Sequence, residues 1–280
     1  MVLEMNSSKS SDKEALRVAR EHSGGIGVLT IALALFVFSA YVSVLVLFAG
    51  GNLNSIATTF LIGILTFVSY TPMHEAVHGN ISGAKQNFKW INTFVGELMS
   101  PLIAIPYNSH KHEHYAHHRH TNGVDDPDVH IEHLFRSPSD FVRCTLKVIK
   151  THNTYLLDNR TRAEISVNII WRAVFVFSTG FLSAPVLILG WFSGAFLTIY
   201  LFSYLPHKPY SETARWKNTN IQLFGLELPG YLMFHQNLHA IHHLFPRVPF
   251  YNYRSVFGSI EPTLRKNGTP IIGMLNREPI

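Results

Sequence analysis

The sequence has only one cysteine, Cys144, in 280 residues. A single thiol excludes an internal disulfide and fits a reducing compartment. Charged side chains are also scarce, because Asp, Glu, Lys and Arg together make up 15% of the chain while 47% of it is hydrophobic. Soluble domains carry about 25% charged residues. The composition therefore argues against an ordinary soluble protein.

The longest stretch without charge covers residues 23–73, where Asp, Glu, Lys, Arg and His are all absent. Only the small and polar sequence GGNLNS at 50–55 interrupts this stretch. A helix that crosses a membrane needs about 20 apolar residues. The stretch therefore predicts two spans, at about 26–49 and 55–73, joined by a tight turn.

A second apolar region covers residues 165–206 and contains one charged residue after its start, Arg172. In its middle, Gly190 and Gly194 flank a predicted turn in the sequence LGWFSGAF, at 188–195, which divides the region into a second helical hairpin. Between the two regions, residues 90–107 are apolar, but the segment is short and broken by prolines. It predicts an interfacial or re-entrant helix instead of a span.

These patterns predict an all-α integral membrane protein with two transmembrane helical hairpins (four spans), interfacial helices and a cytoplasmic helical cap. The predicted domains are an N-terminal cytoplasmic segment at 1–25, a membrane domain at 26–260 and a C-terminal tail at 261–280.

The basic residues predict the orientation. The short turns at 50–55 and 188–195 contain no Lys or Arg, whereas the N-terminal segment, residues 107–164 and the C-terminal part contain most of the 23. By the positive-inside tendency, both termini and the long middle segment are expected on the cytoplasmic side. The formal charge of +5 then reflects topology and contact with anionic lipid. Because the charge is not gathered into one stripe, nucleic acid is not an expected partner.

Histidine is unusually abundant, with 17 residues. Most lie in HEAVH at 74–78, HKHEHYAHHRH at 110–120 and HQNLHAIHH at 235–243, each of which follows or precedes an apolar segment. His74 and His78 are one helical turn apart. The pattern H-x-x-H-H occurs twice and can direct three imidazoles to one point in each case: His114, His117 and His118, then His239, His242 and His243. Eight imidazoles exceed the four ligands of one tetrahedral ion, so two ions are the simplest interpretation.

Two alternatives of other classes stay open at this point. His74-Glu75-x-x-His78 is the H-E-x-x-H pattern of a zinc metalloprotease, in which Glu75 would act as general base. That interpretation leaves both H-x-x-H-H triplets unexplained. A non-catalytic metal-binding or transport protein would place its ligands near the middle of the membrane, whereas here each histidine cluster adjoins the end of a span.

The three histidine patterns around two hydrophobic hairpins resemble the membrane fatty acid desaturase and hydroxylase superfamily. Its members include acyl desaturases, alkane hydroxylases, and carotenoid hydroxylases and ketolases. The resemblance covers residues 26–260. HHLFPRVPFYNY at 242–253 is similar to the segment after the third histidine box of acyl desaturases and of beta-carotene hydroxylases, whereas HHRHTNGVDDPD at 117–128 is more similar to the carotenoid and alkane hydroxylase branches.

The resemblance implies a non-haem centre of two Fe ions, although imidazole itself suits several metals. No catalytic residue is predicted beyond the metal ligands. Transferred box by box, with the family's additional histidine placed in YLPHKPY, the ligands are His74, His78, His114, His117, His118, His207, His239, His242 and His243.

Neutral ligands leave the charge of the ions uncompensated, so carboxylates and hydrogen-bond acceptors are expected around them. The candidates are Glu75, Asp125, Asp126, Asp128, Asn237 and His235, where the three aspartates also suit a solvated Asp-Pro turn, and His235 is a spare ligand if His207 is not used. The remaining histidines are expected to be solvated or orienting groups (His110, His112, His120) or surface residues (His22, His130, His133, His152).

The implied reaction is O2-dependent desaturation or hydroxylation of a long-chain lipid, such as a fatty-acyl chain. Hydroxylation or ketolation of a carotenoid is the alternative. The chain has no H-P-G-G haem motif and no dinucleotide fingerprint. The resemblance therefore implies a separate electron donor: a ferredoxin, a rubredoxin, or cytochrome b5 with its reductase.

Overall fold

The structure is a computed structural model that describes residues 2–152 and 158–273. It is mostly helical, in agreement with the predicted class. The helices are α1 (Val2–Glu21), α2 (Val28–Ala49), α3 (Ser55–Val77), α4 (Lys89–Ile103), α5 (Tyr107–His120), α6 (Pro138–His152), α7 (Asn159–Thr179), α8 (Ser183–Thr198), α9 (Leu205–His207), α10 (Leu228–Leu232), α11 (His239–Leu244) and α12 (Tyr253–Lys266). Two short strands, β1 (Ile221–Leu223) and β2 (Ile271–Gly273), form a parallel pair that was not predicted.

Three helices of the described chain are long and apolar enough to cross a membrane. They are α2, α3 and the continuous helix Ser183–His207, in which a π-helical turn at Ile199–Tyr204 joins α8 to α9. The helix α3 begins where Asn54 accepts a hydrogen bond from the backbone N–H of Ala57 at 2.9 Å, as expected for an N-cap. It continues to Val77, beyond the predicted end at 73, and so carries the first histidine box out of the apolar region.

The third predicted span, the first of the second hairpin, overlaps α7. Its first turns carry Arg160, Arg162 and Glu164, and Arg172 lies further along, so α7 is less apolar than the other three helices. Asp158 caps α7 by accepting from the backbone N–H of Thr161 at 2.8 Å.

The predicted turn at 188–195 is wrong. The chain turns at Gly180, where φ is 96° and α7 ends, and α8 then runs through Gly190 and Gly194 without interruption. Both glycines serve helix packing. A Cβ at Gly190 would lie 2.7 Å from the side chain of Ile62, and one at Gly194 would lie 2.3 Å from the carbonyl oxygen of Gly63. Small residues four apart let two helices approach closely in a membrane.

The helix α4 occupies part of the predicted interfacial or re-entrant segment. It packs along α3 and stops at Ala104, whose φ of 59° is left-handed. The last carbonyls of a helix lack partners within the helix, and in an apolar environment they need other donors. Three side chains from three helices supply them: Thr66 Oγ1 to Leu102 at 3.3 Å, Arg172 Nη2 to Pro101 at 2.8 Å and Trp191 Nε1 to Ile103 at 2.6 Å.

The apolar interior has two main parts. One lies among α2, α3, α4 and α8 and includes Tyr41, Ile62 and Met99. The elements outside the bundle of α2, α3, α4, α7 and α8 form the cap. The second part lies within the cap, where α1 and α11 pack on α12 around Ile241 and Tyr253. Helix α12 runs across the predicted domain border at 260, and β2 pairs with β1 in the register Ile221 to Ile271.

Candidate metal centre

Four elements carry the nine histidines proposed as ligands to one place at the end of the helical bundle. The first box lies at the end of α3, the second on α5 and the third on α11, while α9 carries His207. Seven of the nine are buried, and His118 and His243 are partly buried. Helical spacing explains the local geometry, because residues three and four apart lie on one face.

Five of these histidines form one group: His74, His78, His114, His118 and His242. Their ligand nitrogens all lie within 4.8 Å of one another. His74 Nε2 is 3.0 Å from His114 Nε2 and 3.1 Å from His242 Nε2. His118 Nε2 is 3.1 Å and 2.8 Å from the same two atoms. Four nitrogens therefore form a closed ring in which each touches two others.

The first group offers more ligands than a structural zinc ion takes. Zinc in structural sites has four ligands, whereas five imidazole nitrogens converge here. The group thus suits an ion with at least five ligands better than a structural zinc ion.

The other four histidines form a second group beside the first. His117, His207 and His243 have ligand nitrogens within 4.8 Å of one another. His239 joins them, because its Nε2 lies 3.2 Å from His207 Nε2. The two groups are adjacent, since the rings of His118 and His243 stack with centroids 4.2 Å apart.

Several imidazole nitrogens at this centre are buried without a hydrogen-bond partner. His78 Nε2 and His243 Nε2 are two of them. An unsatisfied buried polar atom costs about 1–3 kcal/mol, and nitrogens that face one another cannot all be donors. Cations held between the rings would satisfy these atoms, so the residues present fit two metal ions.

Burial also keeps most of these imidazoles neutral. It lowers the pKa of His114, His118, His239, His242 and His243 well below the ordinary 6.5, and the neighbouring imidazoles lower it further. A neutral imidazole has a free lone pair at pH 7 and can bind a metal without first losing a proton.

His117 is different because it donates from Nδ1 to Asp126 Oδ1 at 2.9 Å. Burial lowers its pKa, but this hydrogen bond and the charges of Asp128 and Asp126 outweigh burial, so the pKa is raised. Asp126 is buried and also accepts from the backbone N–H groups of Asn122 at 2.7 Å and Asp128 at 2.8 Å. A held Nδ1 leaves Nε2 of His117 for a metal.

Three polar side chains that the sequence analysis missed lie against the third box. Tyr253 Oη is 3.0 Å from His242 Nδ1, Gln236 Oε1 is 3.2 Å from His239 Nδ1, and Thr121 Oγ1 is 3.3 Å from His243 Nδ1. Gln236 lies three residues before His239, and this spacing could have indicated their contact. Tyr253 comes from another helix, and no pattern in the sequence indicated Thr121.

None of the other predicted partners hydrogen-bonds to a proposed ligand, although Asp128 lies near His117. Asp125 is exposed. Asp128 is partly exposed, with a carboxylate oxygen 3.8 Å from His117 Nδ1. The amide of Asn237 donates to the carbonyl of Gln222 at 2.8 Å, and His235 packs on Tyr231 outside both groups. Glu75 is fully buried, but neither carboxylate oxygen hydrogen-bonds to an imidazole; its polar neighbours are Asn80 and the backbone of Phe250.

Among the remaining histidines, His130 was predicted on the surface but is buried, because the turn at Val129–His133 folds back on α6, where Cys144 donates to its carbonyl. His110 stacks on His114 with ring centroids 5.5 Å apart. His112 is exposed, and His22, His120 and His133 are partly exposed. The side chain of His152 lies outside the described side chains.

A small cavity opens between the histidines and the apolar interior of the bundle. Tyr70 and Phe202 line it on the membrane side, with ring centroids 5.4 Å apart, and Gln236 and His239 line it on the cap side. Phe202 and Ser203 are presented by the π-helical turn at Ile199–Tyr204. Such turns are frequent at functional sites.

Comparison with known proteins assigns the chain to a family. The model of the fatty acid desaturase family matches residues 52–274, which include all nine histidines. The chain belongs to the fatty acid desaturase family. The predicted superfamily is thereby confirmed, and this desaturase-family protein is a membrane oxidoreductase.

Several curated proteins are similar to this desaturase-family chain. Fatty acid conjugase FAC2 A of Calendula officinalis is 25% identical over 261 residues, which cover 73% of this chain and 68% of that protein. An sn-1 oleoyl-lipid 12-desaturase of Picosynechococcus sp. is 23% identical over 242 residues, covering 72% and 67%. A chloroplastic omega-3 fatty acid desaturase of Glycine max is 23% identical over 259 residues, covering 78% and 54%.

Proposed function

We propose that this protein is an O2-dependent di-iron membrane oxidase that desaturates a long-chain fatty-acyl group of a lipid. The observation that carries the proposal is the pair of adjacent imidazole groups, one of five histidines and one of four. The names of similar proteins, which include fatty acid conjugases, 12-desaturases and omega-3 desaturases, support a fatty-acyl substrate.

The proposed cofactor is a pair of Fe ions, which when bound would activate O2 for removal of hydrogen from an unactivated C–H bond. His74, His78, His114, His118 and His242 would hold one ion, and His117, His207, His239 and His243 the other. Iron tolerates the five ligands that the first group offers, whereas structural zinc takes four.

The protein itself positions the site and excludes water. Asp126, fixed by two backbone N–H groups, orients the ring of His117. Tyr253, Gln236 and Thr121 lie against the outer nitrogens of the third box. On the membrane side, the rings of Phe67, Tyr70 and Phe202 make the approach to the cavity apolar, with the Phe67 and Phe202 centroids 5.3 Å apart. An acyl chain is the kind of group that such a surface would bind.

The proposed topology has four spans, namely α2, α3, α7 and the helix Ser183–His207, with both termini and the histidine end of the bundle in the cytoplasm. The distribution of basic residues supports this orientation. Electrons would come from a separate ferredoxin, rubredoxin, or cytochrome b5 with its reductase, docked near the histidine end.

The proposal is tested by expressing the chain in cells with a simple lipid composition and analysing fatty acid methyl esters by gas chromatography and mass spectrometry. We expect a new or shifted double bond with the wild type and none with His118→Ala. His133→Ala is the matched control, because this partly exposed histidine lies outside both groups. Metal analysis of the purified protein should give two irons per chain.

Other outcomes would contradict the proposal. A changed pigment profile in cells that make beta-carotene, with unchanged fatty acids, would favour the carotenoid alternative. A hydroxylated fatty acid in place of an alkene would change the outcome of the reaction but keep the site. One zinc per chain would favour the protease alternative based on His74, Glu75 and His78.

A further inference from the structure

The cap carries an exposed apolar surface that lies outside both histidine groups. It consists of Leu226 and three residues of α10, Leu228, Tyr231 and Leu232, whose exposed fractions are 75%, 64%, 55% and 64%. Large apolar side chains that are scattered singly need no explanation, but a contiguous group of this kind marks a surface that binds something.

The position of this surface indicates what covers it. The chain leaves α10 through Phe234, whose ring contacts that of Phe67 on α3 with centroids 6.5 Å apart. Phe67 lies seven residues before His74, so it is about 10 Å closer to the middle of the membrane span. The end of α10 is therefore next to the apolar part of the bundle and on the membrane side of the metal centre.

The backbone holds α10 firmly in this position. Phe234 and His235 have φ values of 51° and 55°, in the left-handed region that non-glycine residues seldom adopt. The backbone N–H of His235 donates to the carbonyl of Gly230 at 2.8 Å, which closes the turn against α10. Two successive residues in this conformation persist only where the surroundings fix them. The exposure of the apolar surface is thus a feature of the fold.

Polar groups border the surface as they do at a membrane interface. Glu227, within the same segment, forms an ion pair with Arg254 of α12, and both side chains are about half exposed. Leucines that face outward together with a tyrosine and a charged rim are typical of segments that lie at the boundary between lipid head groups and acyl chains.

We infer that residues 226–232 are inserted into the lipid leaflet that surrounds the histidine end of the bundle. Since this segment leads through the turn at Phe234 and His235 directly to Gln236 and His239, it forms a lipid-contacting wall beside the metal centre. The inference depends on the membrane spans and not on the proposed reaction, so it stands or falls separately from the proposed function.

The test uses the full chain in lipid nanodiscs with a nitroxide spin label at Leu228→Cys or Leu232→Cys. Accessibility to O2, which concentrates in lipid, is compared with accessibility to a water-soluble nickel chelate. Phe36→Cys on α2 is the lipid-facing reference and Val124→Cys, 96% exposed, is the cap reference. The native Cys144 is buried and is left in place. We expect both α10 positions to favour O2 several-fold relative to position 124.

Equal accessibility to the nickel chelate at positions 228, 232 and 124 would overturn the inference and leave the surface for a protein partner. If a label on α10 disturbs the fold, Leu226→Cys provides a third position outside the helix. Its label should give the same result as the α10 labels, and a water-exposed reading there would also overturn the inference.

Discussion

At the scale of single residues, His117 and Asp126 form a pair in which a buried carboxylate meets a proposed ligand within hydrogen-bond distance. Three donors converge on Asp126: Nδ1 of His117 and two backbone N–H groups. An amide in its place offers only one acceptor oxygen and adds donors that have no acceptor here.

We therefore expect Asp126→Asn to weaken metal binding in the four-histidine group, by about 10–100-fold as is typical for residues that orient metal ligands. The measurement is iron content after competition with a chelator, together with a Mössbauer spectrum. Asp125→Asn is the matched control, because Asp125 is the next residue along the chain and its carboxylate is exposed. Equal iron loss in both variants would contradict the assigned role.

Tyr253 offers a similar test of the five-histidine group. Tyr253→Phe keeps the buried ring but leaves Nδ1 of His242 without its 3.0 Å partner. We expect about tenfold weaker binding of one metal ion, with a spectral change that differs from that of Asp126→Asn. Tyr251→Phe, at a partly exposed tyrosine outside both groups, should bind metal as the wild type does. Unchanged binding in Tyr253→Phe would remove this residue from the site.

Residue spacing predicted which histidines lie together better than it predicted their hydrogen-bond partners. All nine histidines proposed from the boxes and from YLPHKPY converge, because helical periodicity fixes their direction within each box. Partners such as Tyr253 and Thr121 come from other elements, and their contacts depend on tertiary packing that no local pattern encodes. Glu75 illustrates the opposite error, since its place in the box suggested a contact with an imidazole that its side chain does not make.

At the scale of elements, the interface between α3 and α8 depends on backbones that lie close together. A Cβ at Gly194 would be 2.3 Å from the backbone carbonyl of Gly63 and 2.7 Å from Thr66. A backbone atom cannot move aside as the end of a flexible side chain can, so the helices would have to separate.

We expect Gly194→Ala to destabilise the protein by about 1–3 kcal/mol, the usual range for overpacking. The readout is the thermal unfolding temperature in detergent. Gly258→Ala on α12 is the control, because a Cβ there meets no atom within 4 Å, and it should leave the unfolding temperature unchanged or raise it slightly. A Gly194→Ala protein as stable as the wild type would mean that the α3–α8 contact is looser than described.

The same glycines explain why one turn was misplaced. Glycine in a short apolar sequence is compatible with a turn and with close helix packing, and the sequence alone does not distinguish them. The first hairpin was predicted well because GGNLNS is polar as well as small. The second turn at Gly180 has no such polar stretch, since it is followed by Phe181 and Leu182.

At the scale of the whole molecule, the buried histidines predict how stability depends on pH. In the unfolded chain their pKa is about 6.5, whereas burial lowers the pKa of His114, His118, His239, His242 and His243 in the folded protein. Below pH 6.5 the unfolded state therefore binds more protons than the folded state, and stability falls as the pH falls. His117 acts in the opposite direction because its pKa is raised, but it is one residue against five.

We expect the metal-free protein to lose stability progressively as the pH is lowered from about 6.5, and the metal-loaded protein to release its ions in the same direction because protons compete for the ligands. The loss of stability is measured as the unfolding temperature, and the release of ions as the amount of bound iron, both between neutral and acid pH. A metal-free protein equally stable at neutral and acid pH would show that the imidazoles are more accessible to water than the structure indicates.

The cap was the hardest part to predict from the sequence. Its strands β1 and β2 are three residues each and lie about fifty residues apart in the chain, so no periodicity indicated their pairing. Its helices form around a core shared between α1 and α12, which join opposite ends of the described chain. Long-range packing of this kind is invisible to local pattern analysis, whereas spans of about 20 apolar residues are the strongest signal that a sequence gives.

The end of α4, where three helices donate hydrogen bonds to its last carbonyls, also bears on the metal centre. Three residues separate α4 from α5, which carries the second histidine box. The start of that box is therefore held in part by Thr66, Arg172 and Trp191, none of which is a proposed ligand. Contacts outside both histidine groups thus help to set where the second box lies.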